Sequence, residues 1–316
     1  MKTKVSLSIF GITLVVLFMY CGCSKDVPAT LYKTQNVIIV VVDGARFSET
    51  WGLSTKEFIP HRYSLLSKGV FCSQFYNNGT TSTNPGHTAI CTGVYENLNN
   101  TGAEYPTNPS IFQYWLKTFH RPNNEAWVIS TKDKLEVLSD CKDEAWKGTY
   151  RPSTDCGNLG LGTGYREDIT TFISVSTKLT SNHIRLALIN FKQPDAAGHA
   201  NDSAAYLQGI IDTDNYIYQF WQQLQSDAFY KDRTTLIVTN DHGRHTAGHL
   251  DGFVSHGDNC DGCKHIEFFA IGPDFRQGYI SNTPYEQIDI SVTIGQLMGF
   301  SVPTSNGKVM KDIFKK

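Results

Sequence analysis

Runs of apolar residues that stop abruptly at an acidic or polar residue set the pattern of this chain. Residues 36–42 (NVIIVVV) are apolar and β-branched at nearly every position, and they end at Asp43-Gly44. Apolarity without alternation predicts a strand buried on both faces, as in a parallel sheet. Similar runs occur at 126–131 (AWVIST), 185–191 (RLALINF), 234–240 (TTLIVTN) and 265–272 (HIEFFAIG), with a shorter strand predicted over 69–75. Between them the period changes. Residues 57–68, 110–119, 167–179 and 202–226 read as helices. In the last, Leu207, Ile210, Ile211, Ile217, Phe220, Trp221 and Leu224 follow three-and-four spacing, which marks a packing face. A closing helix is predicted over 288–300 (IDISVTIGQLMGF), then a polar tail packing back. Strands alternating with helices predict an α/β fold, a mainly parallel central sheet with helices on both faces.

Two stretches depart from this rhythm. Residues 1–23 carry two lysines, an apolar stretch and then small residues and cysteine, the form of an export signal. The apolar part is also long enough for an uncleaved membrane anchor. Gly22-Cys23 before Ser24-Lys25-Asp26 resembles the cleavage site of bacterial lipoproteins, with Cys23 lipidated; Cys21 is the weaker acceptor because Tyr20 precedes it. The expected product is an exported lipoprotein, membrane-anchored in the periplasm or on the cell surface of a bacterium. Residues 24–316 are expected to form one large domain with a full core. Within that domain, periodicity fades over 132–164, which is expected to be an excursion over the active face.

Charge and cysteine narrow the options. Removing Lys2 and Lys4 from 28 basic residues leaves 26 against 30 acidic ones, a formal charge of −4 with no basic tract, so a nucleic-acid polymer is not the expected partner. Six cysteines remain beyond Cys21 and Cys23, and an exported protein can oxidise them. Cys141 with Cys156 and Cys260 with Cys263 are the local pairings; Cys72 and Cys91 stand apart.

Candidate chemistry lies where the apolar runs end. Thr80-Thr81-Ser82-Thr83 leads into Asn84-Pro85-Gly86, and Asn is a good N-cap while Pro suits the first helical position. A helix starting at Pro85 leaves the Thr83 hydroxyl beside a helix N-terminus, where negative charge is favoured. Three strand ends carry Asp43, then Asp195 with His199 in a loop, then Asp241 with His242. His242, His245, His249, His256 and His265 are half of the chain's ten histidines. Carboxylate and imidazole suit zinc, and two ions about 4 Å apart clamp both oxygens of an in-line displacement. A metal also activates a hydroxyl that is too weak a nucleophile alone.

VVVDGAR, TNPGHTAICTG, DAAGH, NDHG, SHGD and DISVTIGQLMGF, in that order, resemble the alkaline phosphatase superfamily, in particular its nucleotide pyrophosphatase/phosphodiesterase branch. The resemblance implies a hydrolase of small phosphate esters with two zinc ions, or other divalent metals, and a covalent intermediate on Thr83, which fits T-x-P-x-H. It implies that Asp43, Thr83, Asp241 and His242 hold one zinc, and Asp195, His199 and His256 the other. His245 and His249 are alternatives to His256. The branch's phosphoryl-binding Asn falls here on Glu104, with Asn99 or Asn100 as replacements if the loop is shorter. Lys132, Lys134 and Arg151 are candidates for binding further phosphoryl oxygens, as in the superfamily's monoesterases. Sulfatases use C/S-x-P-x-R, which Thr83 and His87 do not match. A phosphomutase needs an acceptor site that the sequence does not show. A surface lipoprotein that binds phosphorylated ligands or glycans without turnover is the competing class.

Overall fold

A computed structural model describes Met1 and residues 32–315, so the leader and the lipidation expected at Cys23 lie outside the described residues. The strands are β1 (Asn36–Val42), β2 (Gly69–Cys72), β3 (Phe75–Tyr76), β4 (Ala126–Ser130), β5 (Ser153–Cys156), β6 (Leu186–Phe191), β7 (Thr234–Thr239), β8 (Phe268–Ile271), β9 (Tyr279–Ser281) and β10 (Tyr285–Glu286). The helices are α1 (Pro60–Leu65), α2 (Thr83–Thr92), α3 (Ile111–Phe119), α4 (Asp168–Asn182), α5 (Asp195–His199), α6 (Ser203–Ser226), α7 (Asp261–Lys264) and α8 (Asp289–Met298). Eight strands form one sheet in the order β5-β4-β6-β1-β7-β8-β2-β9, while β10 and β3 pair separately. From β5 to β7 every pairing is parallel; β8 runs antiparallel to both β7 and β2.

The apolar run in β1 is explained by its two covered faces. Val37, Ile39 and Val41 pack into one core, with residues of α2, α3 and α8. Ile38, Val40 and Val42 pack into the other, with residues of α4 and α6. Successive side chains of a strand alternate, so with a helical layer on each face both sets of β1 side chains from Val37 to Val42 are buried. Each such Val or Ile contributes roughly 1.5–3 kcal/mol by leaving water.

The run at 69–75 divides into β2 and β3, which join different sheets. Residues 132–164 are more than an excursion: they include a 3-10 helix at Asp133–Ser139 and the edge strand β5. Sequence pattern misses β5 because it is short, polar and half-exposed, and its order comes from pairing with β4. Neither expected disulfide forms, and all six cysteines among the described residues are free thiols. The Cys156 thiol instead lies 3.6 Å from the Val128 carbonyl across the β4 pairing.

Two features fix the edge that matters. The strands β4, β6, β1 and β7 are adjacent and parallel, so the segments leaving their carboxyl ends emerge side by side. An antiparallel neighbour needs no crossover, so the chain from β7 to β8 starts and ends at that same edge, keeping its histidines there. Fully buried Arg62 on α1 ion-pairs with Asp214 of α6 at 2.8 Å and with Glu267, just before β8, at 2.6 Å.

Candidate active site

The helix carrying Thr83 begins two residues earlier than expected. Thr83 is its first residue and Ser82 occupies the N-cap position, with no side-chain cap bond. Pro85 remains compatible because N–H groups in a helix's first turn have no intrahelical partner in any case. The Asn84 N–H instead meets the Asn100 carboxamide oxygen at 2.9 Å. Asn100 also accepts from Lys134 Nζ at 3.1 Å. Glu104 faces away, bonded to Asn99 N–H and Lys142. The loop therefore brings Asn100, and not Glu104, to the Thr83 helix.

Asp43, Asp241 and His242 converge beside this N-terminus, each fully buried. Their donor atoms lie within 4.8 Å of one another. Asp241 Oδ1 accepts from Gly44 N–H at 3.2 Å and from His242 N–H at 2.9 Å. Asp43 Oδ2 accepts from Asn190 at 3.0 Å. His242 Nδ1 is tied to the Gly243 carbonyl at 2.8 Å, which leaves its Nε2 lone pair facing the carboxylates. Asp43 Oδ1, Asp241 Oδ2 and His242 Nε2 have no hydrogen-bond partner among the described residues. Buried polar atoms are rarely left unpaired, and this O, O, N set fits a divalent cation such as zinc.

A second group adjoins the first. Asp195, His242 and His256 also place donors within 4.8 Å of one another. His256 is anchored through Nδ1 to the Thr81 carbonyl at 2.8 Å and stacks on His242 at 3.7 Å. Asp195 and His199 are not in an open loop: the short helix α5 puts them four residues apart on one face, 3.4 Å from each other. His199 is half-exposed at the rim, with Nε2 at 3.1 Å from His256 Nε2. All seven residues expected from the sequence thus gather at one edge of the sheet. His245 and His249 lie instead with Asp258 and Cys260. His265 stacks between Phe47 and Tyr76.

Two cations complete the arrangement. Lys132, immediately beyond β4 and buried, sends its ammonium to Asp195 at 2.7 Å, Asp43 at 2.9 Å and the Thr83 hydroxyl at 3.3 Å. Arg244, also buried, pairs with Asp195, reaches His199 Nδ1 at 3.3 Å, and donates to the Phe253 and Val254 carbonyls. Sequence reasoning missed Arg244; its position directly after Asp241-His242-Gly243 is the available signal. Gly198 has a packing reason as well, since a Cβ there would lie 2.6 Å from the Arg244 guanidinium carbon. Arg151 stays outside, near Ser139 and Asp140.

Burial and charge set the protonation states. Burial lifts the Asp43 carboxyl to about 6 despite Lys132. Burial and then the Asp43 charge push Asp241 well above the usual range. For Asp195 burial is outweighed by the charges of Lys132 and Arg244, which hold it well below that range. Burial keeps the His242 and His256 imidazoles neutral, His256 down to about 4. Lys132 stays charged because Asp195 and Asp43 outweigh its desolvation. The neutral imidazoles and the Asp195 carboxylate are already in the form that ligates metals, whereas the raised Asp241 carboxyl would release its proton on binding one.

An eight-stranded, mostly parallel sheet with acidic and imidazole groups at its strand ends and a hydroxyl at a helix N-terminus defines an alkaline-phosphatase-like protein. Residues 37–256 match the family model described as type I phosphodiesterase / nucleotide pyrophosphatase, and the chain belongs to that family. It is 24% identical over 281 residues to the bis(5'-adenosyl)-triphosphatase ENPP4 of Bos taurus, covering 82% of this chain and 57% of the relative. The chain thus spans little more than half the length of that curated relative. The fold is shared with a phosphonate monoester hydrolase from Silicibacter pomeroyi, at a TM-score of 0.64 and 15% identity over 88% of this chain and 76% of that one. It is also shared with the inactive form of murine ectonucleotide pyrophosphatase / phosphodiesterase 5 solved with AMP, at 0.62 and 16% over 89% of this chain and all of that one.

Proposed function

We propose that the chain hydrolyses small phosphate esters, diesters in preference to monoesters, through a covalent intermediate on Thr83. The observation that carries this reading is the set of three unpaired buried atoms on Asp43, Asp241 and His242, facing the helix that begins at Thr83. Asp43, Thr83, Asp241 and His242 would hold one divalent ion, and Asp195, His199 and His256 the other. Bound there, such ions lower the pKa of a hydroxyl and neutralise charge on the transferred phosphoryl group.

The remaining work falls to the chain itself. Thr83 Oγ attacks phosphorus and the bond to the leaving alcohol oxygen breaks. The N-terminus of α2 faces the phosphoryl oxygens, where its dipole favours negative charge. Lys132 lies within 3.3 Å of the hydroxyl, placed to bind a phosphoryl oxygen once substrate enters. Asn100 and Lys134 flank the same N-terminus and supply further donors. Water then cleaves the Thr83–phosphate bond, entering from the side of Asp195 and His256. The preference for diesters rests on the family match.

The test is turnover of an aryl phosphodiester, an aryl phosphomonoester and an aryl sulfate by the zinc-loaded protein, with acid quenching to trap phosphate on Thr83. Diester hydrolysis, a trapped phosphothreonine and loss of both in Thr83→Ala are expected. Metal-loaded protein that turns over none of the three would leave a binding protein in its place.

A further inference from the structure

The histidines that the catalytic edge does not use form a site of their own. On the chain from β7 to β8, His245, His249, Asp258 and Cys260 bring one imidazole, one imidazole, one carboxylate and one thiol within 4.8 Å of each other. His245 is 3% exposed. Its Nδ1 is 2.9 Å from Asp251, itself bonded to Ser255 at 2.7 Å. A carboxylate on Nδ1 fixes the proton there and turns the Nε2 lone pair inward. That Nε2 has no hydrogen-bond partner among the described residues, and faces Asp258 Oδ2 at 3.5 Å. Asp258 Oδ2 meets His249 Nε2 at 2.6 Å, so the buried His245 Nε2 is the atom of this group left without a partner, aimed at the other three.

We propose that His245, His249, Asp258 and Cys260 bind a structural zinc ion separate from the catalytic edge. Two nitrogens, one oxygen and one sulfur make the four-coordinate set that closes a structural zinc site. Bonds of about 2.1 Å at tetrahedral angles set ligand atoms about 3.4 Å apart, close to the His245–Asp258 separation. His249 sits nearer, 2.6 Å from Asp258, but its side chain is 42% exposed and free to open. Asp258 Oδ1 is held by the Cys260 N–H at 2.9 Å, which leaves Oδ2 for the metal. Such an ion would fasten the segment that carries His256 and supplies the Phe253 and Val254 carbonyls to Arg244. The expected Cys260–Cys263 disulfide is the competing fate of the same thiol.

Cobalt distinguishes this site from the catalytic one, because none of the seven catalytic-edge residues offers sulfur. Titrating the reduced, metal-free chain with Co2+ should give a near-ultraviolet thiolate-to-cobalt charge-transfer band that is saturated by three ions per chain, the other two filling the sulfur-free sites. Zn2+ should displace it. The band should vanish in Cys260→Ser and persist in Cys263→Ser. His249→Ala, at an exposed position, should fold and bind this cobalt about tenfold or more weakly. Zinc content should fall by one ion per chain in Cys260→Ser. The proposal is overturned by a wild type without the band, by a band surviving in Cys260→Ser, by His249→Ala titrating like the wild type, or by a Cys260–Cys263 disulfide in the isolated protein. None of these outcomes depends on whether Thr83 turns over a phosphate ester.

Discussion

Gly86→Ala tests how tightly the helix that begins at Thr83 is held against the strand end that carries Asp241. A Cβ built on Gly86 would lie 2.3 Å from the Asp241 carbonyl oxygen, whereas ordinary contact starts at 3.4 Å, so about 1 Å must be found. The carbonyl has little freedom to retreat, being held by Asn77 at 2.8 Å and Gln287 at 2.9 Å. α2 must therefore shift, and Thr83 sits less than one turn away on it. Overpacking of this kind costs about 1–3 kcal/mol, while Gly-to-Ala in a helix returns about 0.5–1 kcal/mol. The net expectation is a stability loss of roughly 0–2.5 kcal/mol, with kcat on an aryl phosphodiester down about 100-fold from misplacement of the hydroxyl. Steady-state kinetics and thermal melting of zinc-loaded protein measure both. A variant with kcat within about twofold of wild type and a raised Tm is what helix propensity alone would give, and it would refute the close approach.

Chelation should abolish turnover and lower the Tm, both restored by Zn2+, because the unpaired atoms of Asp43, Asp241 and His242 lose their partner; a Tm indifferent to chelator would count against a bound ion. Arg62→Met strands Asp214 and Glu267 in the interior and should cost about 3–5 kcal/mol in urea unfolding, against near-neutrality if the triad is dispensable. Burial disfavours the Asp155 carboxylate, but Lys178, Ser174 and Arg166 outweigh it and hold its pKa at about 2, below the ordinary 3.8. A depressed folded pKa stabilises above the unfolded value and is lost as pH falls. Asp155→Asn should therefore cost on the order of 2 kcal/mol at pH 7, a deficit that shrinks from about pH 4 to pH 2. A deficit independent of pH would assign the loss to packing.

The sequence by itself determined the sheet and most of its active edge. β1 had to be a central strand, because only two covered faces tolerate NVIIVVV. Asp43 and Asp241 had to stand at one edge, because parallel neighbouring strands end on the same side. Tertiary structure decided what depends on contacts between distant residues. Lys132 meets Asp195 across 63 positions, and no local period marks a lone lysine in an aperiodic stretch. Arg244 is defined by the Asp195 carboxylate it pairs with, and Asn100 by the Asn84 N–H it caps. Among the clustered histidines, spacing leaves His245 and His249 open as alternatives to His256. The antiparallel return of β8 keeps them at one edge, and their hydrogen-bond partners then separate them: Thr81 anchors His256 beside Asp195 and His242, and Asp251 and Asp258 draw His245 and His249 into another group. Spacing along a chain specifies which face a residue occupies. Which neighbour it meets there is set by the packing of segments far apart in sequence.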